Sequence, residues 1–353
     1  MTEPLPARSL TDLVSAGVLS AATPELHAVA SQYSVSITPA MLALIDPADT
    51  HDPIAAQFVP SIHELSVHPE ERIDPIGDDR YTPVEGIVHR YPDRVLLKLL
   101  LTCPVYCRFC FRREQVGQSG GMLTTEALDR ALNYIRMHPE IWEVILTGGD
   151  PLMLSNRRLA EAIARLNEID HVKVLRIHTR VPVVEPARIT PELTEALRGR
   201  APVYVLLHCN HARELTANAR AACARLVDAG IPMLSQSVLL RGVNDTAESL
   251  ESLMRALVES RVKPHYLHHC DLAHGTSHFR VPIADGQALL AAVRGNVSGL
   301  CQPTYMLDLP GGSGKVPIGP VFALKSDEGW TVEDFRGHLH IYPDFGSDDA
   351  ASI

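Results

Sequence analysis

The amino-acid sequence predicts an α/β fold: a partial, open (β/α)6 barrel with an N-terminal helical segment before it and a C-terminal extension after it. Three observations carry this. From residue 94, apolar runs of strand length alternate six times with amphipathic stretches of helix length. Polar motifs follow the apolar runs one after another, at the strand ends where parallel βα folds gather their ligand-binding residues. Residues 1–93 instead carry proline- and acid-rich connections with few regular periods. A doubly wound sheet shares the first two features and is the competing architecture.

The elements follow in order. In residues 1–93 the opening stretch MTEPLPARSLTDLVSAGVLS reads as an amphipathic helix capped by Ser9. Glu3, Asp12 and the lack of a basic lead argue against a secretory signal. Residues 94–275 hold the repeating units: VLLKLLLT then TTEALDRALNYIRM, WEVILTG then SNRRLAEAIARLNEI, VKVLRIHT then TPELTEALRG. PVYVLLHC, PMLSQSVLL and KPHYLHHCD continue the series, with helical stretches between them. Residues 276–353 offer one helix (DGQALLAAVRGN), a glycine-rich loop and a hairpin.

Composition narrows the function. The chain has 353 residues, is 46% apolar and 21% charged, and so can bury a large core. A net charge of −10 argues against a nucleic-acid or membrane-surface binder. No apolar run reaches bilayer-spanning length. Seven cysteines, four of them dispersed, make a poor disulfide framework and fit a reducing, cytoplasmic setting.

The other three cysteines, Cys103, Cys107 and Cys110, fall within eight residues in CPVYCRFCFRR. Structural zinc takes four ligands in paired units, and ferredoxin clusters use another spacing and a fourth cysteine. Three thiolates can hold three irons of a [4Fe–4S] cluster and leave the fourth open to a ligand. TGGDP, HTR, HCNH and HHCD end later strands and converge on the same mouth. Alone, Gly148, Gly149 and Asp150 would also suit an ordinary turn. The histidines and Cys270 of HYLHHC are expected to divide between core and pocket, because successive strand residues alternate between faces.

The C-x3-C-x2-C spacing is the signature of radical S-adenosyl-L-methionine (SAM) enzymes. From about residue 50 the chain resembles the lysine 2,3-aminomutase family in HRYPDRVLL, CPVYCRFCFRR, ILTGGDPL, RIHTRVPVVEPARIT, QSVLLRGVND, HHCDLAHGTSHFR and DLPGGSGKVPI. The resemblance implies a [4Fe–4S] cluster on Cys103, Cys107 and Cys110. It implies SAM contacts from Arg108, Gly148, Gly149, Asp150, His208 and Gln236. It also implies pyridoxal 5'-phosphate (PLP). PGGSGKVP fails as a phosphate-binding P-loop, since Leu309 and Val316 stand at required positions. It is similar to the family loop whose lysine forms the PLP Schiff base, which makes Lys315 that catalytic residue, on a flexible loop. Arg90 and Arg94 correspond to residues near the PLP phosphate, and Tyr91 to a ring contact.

The same resemblance assigns the substrate carboxylate to Arg112 and the ε-ammonium of lysine to Asp271 and Asp308. Glutamate-specific relatives lack that acid pair. The implied reaction converts L-lysine to β-lysine by 1,2-amino migration, started by an adenosyl radical and made possible by the PLP π-system. A reductant for the cluster and a homo-oligomeric assembly are expected with it. One departure is that no cysteine follows Cys301, so the zinc site of longer relatives is expected to be absent. The short chain and the CRFCFRR wording also resemble the branch that makes β-lysine for modifying translation elongation factor P. That branch, or action on another basic amino acid, is the alternative.

Overall fold

All six apolar runs become parallel neighbours in one sheet, and the sheet extends beyond them at both ends. The computed structural model describes residues 5–117, 121–326 and 329–343. Strands β1 (Ile87–Tyr91), β2 (Arg94–Leu100), β3 (Glu143–Gly148), β4 (Val174–Thr179), β5 (Val203–His208), β6 (Met233–Leu239), β7 (Lys263–His269), β8 (Thr304–Asp308) and β9 (Lys315–Pro317) lie side by side in sequence order. β2 to β8 run parallel. β1 and β9 are antiparallel additions at the two edges. An order without reversal belongs to a curled sheet, because a doubly wound sheet reverses partway. This decides between the two architectures.

The strand count is a correction. Six parallel strands were expected, and the short run TYMLD adds a seventh, β8, within the region read as an extension. The sheet therefore crosses both sequence boundaries, at 93 through β1 and at 275 through β8 and β9. The hairpin expected near the end is there too, as β10 (Ala323–Ser326) and β11 (Gly329–Glu333), joined by β12 (Leu339–Tyr342) in a separate antiparallel sheet.

The helices start where side chains satisfy free backbone N–H groups. Ser9, Thr124, Ser155, Thr216 and Thr246 each accept such a bond at a helix start. The helix Thr125–Arg136 buries Ala127, Ala131, Leu132 and Ile135, and Asn156–Asn167 buries Leu159, Ala162, Ile163 and Leu166. These stripes pack into the same core as the buried strand residues.

Strand alternation does the rest. On β4 the outward Leu175 and Ile177 are fully buried in that core, while Val174, Arg176 and His178 face inward. On β5 and β6 the inward set is Tyr204, Leu206, His208, Leu234, Gln236 and Val238. The concave face of the sheet therefore carries the polar residues.

Candidate active site

The concave face encloses a cavity of about 690 Å³, reached by the ends of β2 to β8 and by the cysteine loop. Cys103, Cys107, Cys110, Arg90, Tyr91, Arg94, Arg112, Gly148, Gly149, Asp150, His208, Gln236, Asp271, Asp308 and Lys315 all line it. One sequence-derived site residue, Arg108, does not. It is fully buried away from the cavity, its Nε and one terminal nitrogen on Glu64 at 2.9 and 2.6 Å and the other on the Ser34 carbonyl at 2.7 Å. Glu64 also takes Arg113, whose free end donates to the His274 and Gly275 carbonyls. All three of its nitrogens are engaged by Glu64 and Ser34, so Arg108 anchors the cysteine loop from outside the cavity.

The three thiols face the cavity as a set. Burial pushes all three above the ordinary thiol value, Cys110 to about 11. Neighbouring thiols add to this at Cys103 and Cys110, while Arg180 pulls Cys107 back. Thiolates here require a positive partner, and iron supplies one. Among the described residues no three His, Cys, Asp or Glu groups could share a single metal ion. A cubane asks no such thing, since each cysteine binds a different iron. The donor set fits a cluster rather than a zinc ion.

Gly148 and Gly149 act through close approach. A Cβ on Gly149 would lie 2.3–2.7 Å from the Thr102 backbone, and one on Gly148, at φ +114°, would lie 2.5 Å from the Leu100 carbonyl. They let the end of β3 lie against the chain entering the cysteine loop. Asp150 receives both Thr179 and the Arg180 and Leu152 amides, at 2.7 to 3.1 Å. It ties the loops after β3 and β4 together. Burial raises its pKa to about 6 against those bonds.

Across the cavity, Lys315 and Asp308 are direct partners in the β8–β9 register. Lys315 Nζ donates to both Asp308 oxygens at 2.6 and 2.5 Å, and His268 Nδ1 lies 3.1 Å from Asp308. The Lys315 amide donates to Tyr91 Oη at 2.7 Å, which bridges the two edge strands of the curled sheet. In the glycine loop before Lys315, Gly311, Gly312 and Gly314 hold positive φ, and a Cβ on Gly312 would lie 2.5 Å from the Tyr81 ring. A turn that only glycines can make delivers Lys315 to the cavity.

Arg90 keeps a buried Nε with no partner, and Arg94 stacks over the Tyr91 ring at 3.8 Å. An orphaned guanidinium donor in the cavity that holds Lys315 suits an anionic phosphate. Arg112 bonds Asp78 at 2.9 and 2.7 Å. Burial would raise the Asp78 pKa, but Arg112, Lys98 and Arg90 together bring it below the usual value.

Sequence comparison adds the decisive fact. The Radical SAM superfamily model matches residues 98–257. The L-lysine 2,3-aminomutase of Clostridium subterminale is 44% identical over 309 residues, 87% of this chain and 74% of that one. That of Fusobacterium nucleatum is 40% identical over 87% of this chain and 73% of its own. The chain belongs to the lysine 2,3-aminomutase family of radical SAM enzymes. A glutamate 2,3-aminomutase from Clostridioides difficile is 37% identical over 84% of this chain and 70% of its own. Substrate choice therefore has to be argued from residues.

For a member of the lysine 2,3-aminomutase family, three cavity histidines stand out. His178, His208 and His268 each keep a buried Nε2 without a partner. Burial drives His208 down to about 3 and His178 well below its ordinary value. Neutral rings present acceptors or single N–H donors to a bound ligand. His208 pairs in register with Gln236, and both suit the polar parts of SAM. The expected division of HYLHHC holds: His268 faces the cavity, His269 bonds Tyr305 Oη at 2.8 Å, and Cys270 is buried.

Sequence reasoning missed Arg180, His178 and Asp78 as site residues. HTR, flagged only as a strand-end motif, held the signal for two of them. Arg180 donates to Cys107 Sγ at 3.4 Å and to Glu214 at 2.7 Å. Nothing in the local sequence marks Asp78.

Proposed function

We propose that the protein is an L-lysine 2,3-aminomutase, an isomerase that moves the α-amino group of L-lysine to the β-carbon and gives β-lysine. The observation that carries the choice of substrate is an acid pair, Asp271 and Asp308, lining the same cavity as Arg112 and Lys315. Two carboxylates reject a substrate side chain that carries a third and favour one that carries an ammonium. The [4Fe–4S] cluster and SAM, when bound, supply the radical that removes a substrate hydrogen, and PLP supplies the π-system across which nitrogen migrates.

The chain's own residues bind, orient and exclude. Cys103, Cys107 and Cys110 hold the cluster. His208 and Gln236 receive SAM, with Gly148, Gly149 and Asp150 setting the wall beside it. Lys315 takes the cofactor, and Arg90 and Arg94 hold its phosphate beside Tyr91. Arg112 fixes the substrate carboxylate, so the migrating group and the acid-bound end are separated along one axis. Apolar strand residues such as Val95, Ile145 and Val238 wall the cavity. A dry wall matters because a carbon radical attacks whatever is nearest.

Among the described residues no helix is long and apolar enough to cross a membrane. The test is anaerobic incubation of the reconstituted protein with SAM, PLP, reductant and a panel of amino acids. β-Lysine from lysine, with no β-glutamate from glutamate, is the expected result. Equal turnover of glutamate would overturn the substrate reading.

A further inference from the structure

In the cavity, the charges assigned to the substrate are already paired by the chain. Lys315 Nζ places an ammonium on Asp308 at 2.6 and 2.5 Å, as its cross-strand partner. Asp78 places a carboxylate on Arg112 at 2.9 and 2.7 Å. Ammonium on carboxylate and carboxylate on guanidinium are the two contacts a lysine zwitterion would make. Both pairs are held. Asp308 and Asp78 are buried, His268 supports the first pair and Arg90 the second.

We infer that Lys315 and Asp78 are internal stand-ins for the ε-ammonium and α-carboxylate of the substrate, and that they keep the pocket closed to lysine until PLP takes up the Lys315 nitrogen. The inference rests on the substrate reading above. When the Lys315 ammonium condenses with the cofactor aldehyde, a C=N bond forms and the aldehyde oxygen leaves as water with two of the three nitrogen hydrogens. The nitrogen keeps at most one N–H, so it no longer offers Asp308 an ammonium. Asp271 and Asp308 are then free to receive a cation. Release of Arg112 does not strand Asp78, because Arg90 still donates to its other oxygen at 3.1 Å. Lysine is thereby admitted after PLP, and a ligand must carry both charges to displace both stand-ins. Asp78 is on this account a positioning residue: it holds the Arg112 guanidinium in place while no carboxylate is present.

The test is a gain of binding. The full chain with its cluster but without PLP is titrated with L-lysine by calorimetry, as unaltered protein and as Lys315→Met, Lys315→Gln and Asp78→Asn/Lys315→Met. The unaltered protein should bind weakly. Both single variants should bind lysine roughly 30-fold more tightly or better, since the charge that competes for the buried Asp308 is gone. The double variant should bind more tightly again. Norleucine, which lacks the ε-ammonium but keeps the carboxylate, should gain nothing from Lys315→Met or Lys315→Gln. Unaltered protein binding lysine within about threefold of the Lys315→Met variant overturns the inference. So does the absence of any gain in both neutral variants, once circular dichroism shows them folded. β-Lysine formation by the fully loaded, unaltered enzyme is followed in parallel. β-Lysine without the binding gain removes the stand-in role alone. The binding gain without β-lysine removes the mutase reading alone.

Discussion

Asp271→Asn should weaken the enzyme and strengthen the empty protein. Asp271 lines the cavity, and among the described residues its carboxylate has no hydrogen-bond or ion-pair partner. Burial first, and then the nearby Asp308, hold its proton to higher pH than in an unfolded chain. The sign follows: as pH rises from the ordinary carboxylate range toward neutrality, the unfolded chain releases this proton first, so the folded state loses stability. Asparagine removes that penalty, and the ligand-free variant should melt at the same temperature as the unaltered protein or higher at pH 7.5. For lysine the change runs the other way. A hydrogen bond to a charged group contributes about 1.5–3 kcal/mol, and Asp308 remains to hold part of the ammonium. The kcat/KM for lysine should fall roughly 10- to 150-fold. The loss should appear mainly in KM, since the group binds substrate and transition state alike. The assay is anaerobic turnover with β-lysine quantified by mass spectrometry, beside a thermal melt of the ligand-free protein. An unchanged kcat/KM, or a clearly lower melting temperature, would refute this account of Asp271.

Changing Cys103, Cys107 or Cys110 to Ala should each abolish iron loading and SAM cleavage, whereas Cys223→Ala should keep both; iron content and 5′-deoxyadenosine release report it. Lys315→Ala should lose the visible absorbance of the lysine-bound cofactor and all β-lysine while keeping the cluster, and Lys315→Arg should fail equally, because a guanidinium does not condense with the aldehyde at neutral pH. Glu64→Gln should cost roughly 3–5 kcal/mol in urea unfolding, because it leaves the buried Arg108 and Arg113 without their shared carboxylate.

Most of the barrel was legible because β2 to β7 are apolar runs joined by capped helices, and local patterning records both. β8 escaped because TYMLD is short and is separated from the helix Ile283–Val293 by ten residues that read as loop. The cysteines were legible as a motif, and Lys315 and the acid pair only through the family resemblance; the fold brings all of them to one cavity. Arg108 lies apart from the other expected site residues for a physical reason. Its partner Glu64 lies 44 residues away, and only the folded chain shows that the guanidinium is already taken. Asp78 was invisible on the same ground, since its meaning comes from Arg112 and Arg90 on other segments. The glycines at the end of β3 stood out in the sequence, and in the fold their close neighbours are the chain's own Leu100 for Gly148 and Thr102 for Gly149.

The ionic cluster on Glu64 has a consequence for the shape of the cysteine loop. Arg108 and Arg113 fix the cysteine loop to the N-terminal segment and to residues 274–275, and the Tyr106 and Arg108 amides bond the Ser36 and Gln57 carbonyls at 2.8 Å. None of these links passes through sulfur. Where metal ligands alone shape a small domain, filling and folding are one event. In this protein the loop also has fastenings of its own, made of buried charge and backbone hydrogen bonds, so its shape does not rest on the metal ligands alone.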